Sequence, residues 1–74
     1  MKNSRKVNSK GLIDKISIPG KDWRIARAKF ALHLMITDGY LKSIIDGKVP
    51  GPVLRHNIAE SLEVKEEWAF PFKK

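Results

Sequence analysis

Between Trp23 and Leu34 the apolar residues Trp23, Ala26, Phe30 and Leu34 recur three and four positions apart, with Arg24, Arg27 and Lys29 falling between them. That period predicts a helix with one buried stripe. Asp22 stands at its start, where a carboxylate accepts from the free N–H groups of the first turn. Met35-Ile36-Thr37 carries two β-branched residues and breaks the period. Thr37 is placed to open a second helix, its hydroxyl within reach of the Tyr40 N–H. There Leu41, Ile44 and Ile45 turn inward, and Gly47, after Asp46, falls where a left-handed terminating residue is expected. Lys48-Val49-Pro50-Gly51 interrupts the pattern again. Pro52 suits the first position of a third helix, having no N–H to leave unpaired, and Val53, Leu54, Ile58, Ala59 and Leu62 form its apolar face.

The flanks read less sharply. Leu12, Ile13 and Ile16 fit a helix face, whereas Ile16 and Ile18 alternate as in a strand, so residues 12–18 stay open between the two. Pro19-Gly20 ends either one. Residues 1–11 hold Asn, Ser, Lys, Arg and Gly and little that is apolar, which predicts a disordered basic arm ahead of a single domain over 12–74. In the tail Trp68, Phe70 and Phe72 alternate and predict an extended segment lying on the core or on a partner, with Pro71 confining it to an edge or a coil. These three aromatics are the candidate surface for joining two copies; the alternative for Trp68 is a plug in a monomeric core. The expected fold is mostly α, a small helix-turn-helix bundle with a basic N-terminal arm and an extended aromatic C-terminal tail.

Composition narrows the chemistry. The 74 residues have room for one domain, and the absence of cysteine excludes disulfides and Cys-ligated zinc. No apolar run approaches the roughly 18 residues of a membrane span, and MKNSRKVNSKG is not followed by the apolar core of a secretory signal. No membrane partner is expected, and the expected location is cytoplasmic, at the bacterial nucleoid. Fifteen Lys and Arg against eight Asp and Glu give a net charge of +7. The whole excess lies in residues 1–31, which hold nine basic and two acidic residues, while residues 32–74 hold six of each. So lopsided a charge on so short a chain favours a polyanionic partner. No catalytic set is visible. His56 and Glu60 sit four apart on one helix, but zinc takes three or four ligands. Gly39, Gly47 and Gly51 are isolated and make no phosphate loop, and Ser43 and Ser61 lack a His and acid partner. The chain is expected to be neither an enzyme nor a cofactor carrier.

Two short helices joined by a tight three-residue turn, the second capped by Thr, make a helix-turn-helix pattern. In the twenty residues RAKFALHLMITDGYLKSIID, the fifth, Ala31, falls where the helices cross and only a small side chain fits. Phe30, Leu34, Ile36, Leu41 and Ile44 would lock the crossing. FALHLMITDGYLKSIIDGK resembles the core of the phage-repressor and Cro-like superfamily, often L-A-x-x-L-G-V-S-x-x-Y-L-x-x-I-x-x-G-K. The matching residues are Phe30, Ala31, Leu34, Ile36, Thr37, Tyr40, Leu41, Ile44, Gly47 and Lys48. Downstream, RHNIAESLEVKEEWAF is similar to that superfamily's next helix, and the Trp-then-Pro ending to the phage Ner-type regulators. The resemblance covers roughly residues 27–70. It departs at Met35, where glycine is usual: either the turn differs in shape, or the chain tolerates a left-handed bulky residue at a cost of about 1 kcal/mol or more.

The resemblance implies a DNA-binding transcriptional regulator of phage or mobile-element type, acting as a repressor-like homodimer on a pseudo-palindromic duplex. Its reading helix would be Asp38–Ile45, with Thr37, Asp38, Gly39, Lys42 and Ser43 towards the bases. Lys42 would donate to guanine O6 and N7, and Asp38 would accept from cytosine N4 or simply favour the helix N-terminus. Phosphate contacts would fall to Lys2, Arg5, Lys6 and Lys10 of the arm and to Arg24, Arg27, Lys29, Tyr40 and Lys48. The alternative is a protein-interaction module, anti-repressor or antitoxin-like, on the same scaffold, which Met35 and Asp38 favour.

Overall fold

The computed structural model describes residues 4–73. Along it run α1 (Ser9–Ile16), α2 (Trp23–Leu34), α3 (Asp38–Ile45), α4 (Pro52–Leu62) and a single turn, α5 (Glu66–Ala69). The fold is a small, mostly helical bundle. α2 packs on α3 and α4 on α5, while α1 touches α2, α3 and α5 and so closes the structure. The core gathers Leu12 and Ile16 of α1, Ala31 of α2, Leu41, Ile44 and Ile45 of α3, and Ile58, Ala69 and Phe70. No helix among the described residues is long and apolar enough to cross a membrane.

The starts of α2, α3 and α4 follow the expected local chemistry. Asp22 accepts from the Arg24 N–H at 2.8 Å, Thr37 accepts from the Tyr40 N–H at 3.0 Å, and Pro52 takes the first position of α4. Three helices end in the same way. The N–H groups of Ile36, Lys48 and Val64 reach back to the carbonyls of Ala31, Ser43 and Ala59, each across a residue at positive φ. Gly47 supplies that residue after α3, but Met35 (φ 62°) and Glu63 (φ 58°) supply it after α2 and α4. The α2–α3 turn therefore keeps the shape a glycine usually gives, with Met35 in the left-handed conformation. Two such hydrogen bonds close the last turn of each helix and hold the strained residue in place.

At the ends one open reading is settled and two expectations need correction. Of residues 12–18, 12–16 are helix, the greater part of α1, and Ser17 and Ile18 follow it: Asn8 caps α1, accepting from the Gly11 N–H, and Leu12 and Ile16 are its buried face. Residues 4–11 are part of the fold and not a free arm. Lys6 and Asn8 donate their backbone N–H to the carbonyls of Pro71 and Ala69, and Lys73 donates to Ser4, all at 2.9–3.0 Å. The two chain ends thus form a short antiparallel pair around the Arg5–Phe72 bridge. Lys2 lies outside the described residues. The tail is extended only after Phe70, because Glu66–Ala69 first coils into α5.

Phe70 is therefore not on a pairing surface: it is fully buried, among the largest side chains of the core. Trp68 is 40 % exposed and lies over Gly11, close enough that a Cβ at Gly11 would stand 2.8 Å from the ring atom Cη2. Asn8 holds the Trp68 carbonyl with its side-chain amide at 3.0 Å. Phe72 is half-exposed under the Arg5 guanidinium, which sits 4.0 Å from the ring centre.

Candidate nucleic-acid interface

α3 is held at both ends by neighbours that the helical period alone does not reveal. At its start the Arg27 guanidinium grips the Asp38 carboxylate with two hydrogen bonds, Nε to Oδ1 at 2.8 Å and Nη2 to Oδ2 at 3.0 Å. Such a planar fork fixes direction as well as distance. It ties the middle of α2 to the first residue of α3 across the turn. The hydrogen bonds from Arg27 hold the Asp38 carboxyl below its ordinary pKa, and the same pair raises that of Arg27. At the far end the Ser9 hydroxyl donates to the Ile45 carbonyl, satisfying one of the acceptors the helix leaves open.

This arrangement bears on two assignments. The Arg27 side chain is largely covered and spends its donors on Asp38, so it is not a free phosphate contact. Asp38 in turn is paired with a cation, while its carboxylate stays 43 % exposed. The pairing reduces its repulsion of an approaching phosphate.

The outer side of α3 carries Gly39, Lys42, Ser43 and Asp46, opposite the buried Leu41, Ile44 and Ile45. Gly39 is exposed with open space beyond its Cα, so nothing in the protein stands over it. The Ser43 hydroxyl donates to the Gly39 carbonyl at 3.1 Å, and the Lys42 ammonium rests 3.0 Å from Asp46 in an exposed pair. Exposed pairs of this kind are worth little, so Lys42 is released readily to a better acceptor. The Thr37 oxygen accepts the capping N–H, which leaves its hydroxyl proton to donate outward. Lys48 places its ammonium 5.2 Å from the centre of the half-buried Tyr40 ring. The two therefore form one unit at the edge of α3, a cation seated over an aromatic face.

Of the other expected cations, Arg24 is exposed at the first turn of α2, loosely paired with Asp22 at 3.9 Å. Lys6 and Lys10 are exposed, and Lys10 adjoins the Ser9 bracket. Arg5 is taken out of the set: it donates to the Phe70 carbonyl at 2.9 Å and lies 3.7 Å from Glu66. Lys29 is exposed but stands two residues beyond Arg27, roughly 200° around the α2 axis, so it points away from the start of α3.

Glu66 is a further structural hub that the sequence pattern does not reveal. It accepts from Arg55 Nε at 2.8 Å and faces Arg5, which joins α4, α5 and the N-terminal segment. The Arg55 hydrogen bond, with the Arg5 charge adding to it, lowers the pKa of its carboxyl. Comparison with family models, with curated proteins and with solved structures finds no match for this chain.

Proposed function

We propose that the chain binds double-stranded DNA as a transcriptional regulator of phage or mobile-element type, entering the major groove with α3. The observation that carries this reading is the bracing of α3. A short helix is fixed at its start by the Arg27–Asp38 fork and at its end by Ser9, while its outer side is left uncovered. A pre-set helix suits direct reading of base edges, because little ordering remains to be done on binding. Lys42, with Ser43 and the exposed Gly39 beside it, faces the bases. Thr37, Arg24, Lys48 with Tyr40, Lys6 and Lys10 take the phosphates. Two copies on a two-fold site would supply the buried area that one small module lacks, with Trp68 and Phe72 the exposed aromatics available to join them.

The test is a gel shift on random duplexes at several salt concentrations, followed by selection of bound sequences. If about four cations each neutralise a phosphate, log affinity falls linearly with log salt at a slope of about −3.6 per copy. Lys42→Ala then relaxes preference at one base position, whereas Lys48→Ala weakens all sequences alike and lowers the slope by about one. Absence of any shift at about 50 mM salt overturns the reading and leaves the scaffold as an interaction module.

A further inference from the structure

The side of α2 turned away from the core is apolar, and neither the fold nor the proposed DNA interface uses its apolar side chains; of the cations beside them, Arg24 is shared with the DNA reading and Lys29 is not. Ile25 is 50 % exposed, Leu32 77 % and Met35 91 %. Ile25, the exposed Ala28 and Leu32 stand at i, i+3 and i+7 along α2, the spacing that lays one helix along another, and Met35 follows them at the C-terminal cap. Charge borders this seam. At about 100° per residue, Arg24 and Lys29 fall on its two flanks, and Lys21 lies at its N-terminal end. Asp22 is the only carboxylate close by in the chain, and it is engaged in capping α2 and facing Arg24. We infer that this seam docks an acidic amphipathic helix of a protein partner, its apolar residues on Ile25, Ala28, Leu32 and Met35 and its carboxylates on Arg24 and Lys29.

The rim decides among occupants. A second copy laid on the seam would set Arg24 against Lys29 in a parallel pairing and Lys29 near its own counterpart in an antiparallel one, cation to cation, which is destabilising. An anionic membrane matches the charge. However, three large apolar side chains with no aromatic among them offer too narrow a face for interfacial insertion, since the rest of α2 is committed to the core. DNA is placed elsewhere, because Arg27 marks the side of α2 that meets α3, and Leu32 lies about 140° from it. A seam this small gives a weak, transient association.

The probe is a labelled synthetic peptide of about three heptads with Leu at a and d and Glu at e and g, which cannot pair with itself at neutral pH. Its counterpart carries Lys at e and g. With the full chain and no DNA present, fluorescence anisotropy should show saturable, salt-sensitive binding of the Glu peptide. The Lys peptide should bind at least about tenfold more weakly. Leu32→Glu and Ile25→Glu should each reduce Glu-peptide affinity by about tenfold or more, and Lys29→Glu by several-fold. Because both apolar positions are exposed, melting temperature and circular dichroism should stay at the wild-type values. The gel shift on duplex DNA should be unchanged in Leu32→Glu, which separates this seam from the DNA reading.

The inference is overturned by equal binding of the two peptides, by no binding of the Glu peptide, or by full affinity in Leu32→Glu. It is also overturned if sedimentation shows self-association that Leu32→Glu abolishes, which makes the occupant a second copy. Tighter binding to phosphatidylglycerol vesicles than to the Glu peptide, lost in the same variant, makes it a membrane and equally rejects the proposal.

Discussion

Met35→Gly should stabilise the protein, although it removes a whole side chain. Met35 sits at φ 62°, ψ 39° and is 91 % exposed, so its side chain contributes almost no burial. What the residue supplies is backbone: its N–H bonds to the Ala31 and Leu32 carbonyls, and both bonds survive in glycine. The left-handed conformation costs an ordinary residue about 1–2 kcal/mol, and the extra freedom of glycine in the unfolded chain returns about 0.4–1 kcal/mol of that. The net gain is about 0.5–1 kcal/mol, against a total stability of about 4–11 kcal/mol for a chain of this length. Thermal unfolding should rise by about 2–8 °C. The urea midpoint should move up by about 0.5–1 M with an unchanged m value. Met35→Ala is the control: it keeps the Cβ, so it should give no gain. If Ala stabilises as much as Gly, the benefit comes from trimming an exposed side chain, and the strain argument fails. If Gly gives nothing, Met35 does not hold the left-handed conformation in solution.

Glu63→Gly relieves the same strain after α4 and should add a comparable increment in the same melts, since Glu63 is likewise exposed at φ 58°. Gly11→Ala should destabilise by about 1–3 kcal/mol despite the better helix propensity of alanine, because the new Cβ would meet the Trp68 ring at 2.8 Å; a shift in Trp emission reports the displaced indole. Phe70→Ala empties the centre of the core and should cost about 3–5 kcal/mol, enough to leave much of the chain unfolded at 37 °C by circular dichroism. Acid should destabilise the protein through Asp38 and Glu66. Both carboxyls have a depressed pKa when folded, so their contribution is complete above the ordinary carboxylate range and is lost as pH falls through the lowered values. Asp38→Asn with Glu66→Gln should flatten that acid limb in a series of urea titrations, while the wild-type chain keeps it.

The middle of the chain was legible because its instructions are local. Asp22, Thr37, Gly47 and Pro52 act on groups within a few residues of themselves, so α2, α3 and α4 begin and end where the sequence places them. The ends were not legible, because what orders them is far away in the chain. Arg5 finds the Phe70 carbonyl 65 residues on, and Asn8 finds that of Trp68 60 residues on. Read alone, residues 4–8 show mainly charge and polarity, and the single apolar Val7, which packs against the core, is too little to form a period. The alternation of Trp68, Phe70 and Phe72 misled for a related reason. One turn of helix, Glu66–Ala69, is too short to leave a period, yet it swings Phe70 into the core while Trp68 stays half outside.

At α3 the same distinction separates what was right from what was revised. Thr37 as cap and Leu41, Ile44 and Ile45 as the buried face follow from spacing within the helix. The Arg27–Asp38 fork does not, because its members lie 11 residues apart across a turn and match no helical neighbour rule. Only the three-dimensional crossing of α2 over α3 brings them together. Once they meet, the charge accounting of the surface changes: the acid that would have repelled a phosphate is paired, and an arginine that would have attracted one is used up. Of the cations assigned to this interface, Lys6, Lys10, Arg24, Lys42 and Lys48 stay exposed, while Arg27 and Arg5 are engaged within the fold. The rest of the excess sits where it serves the fold, as Arg5 does, or borders the apolar seam of α2, as Lys29 does. A net charge read from sequence is therefore no measure of the charge a partner meets, because which charges are paired and which face carries the rest set the local value.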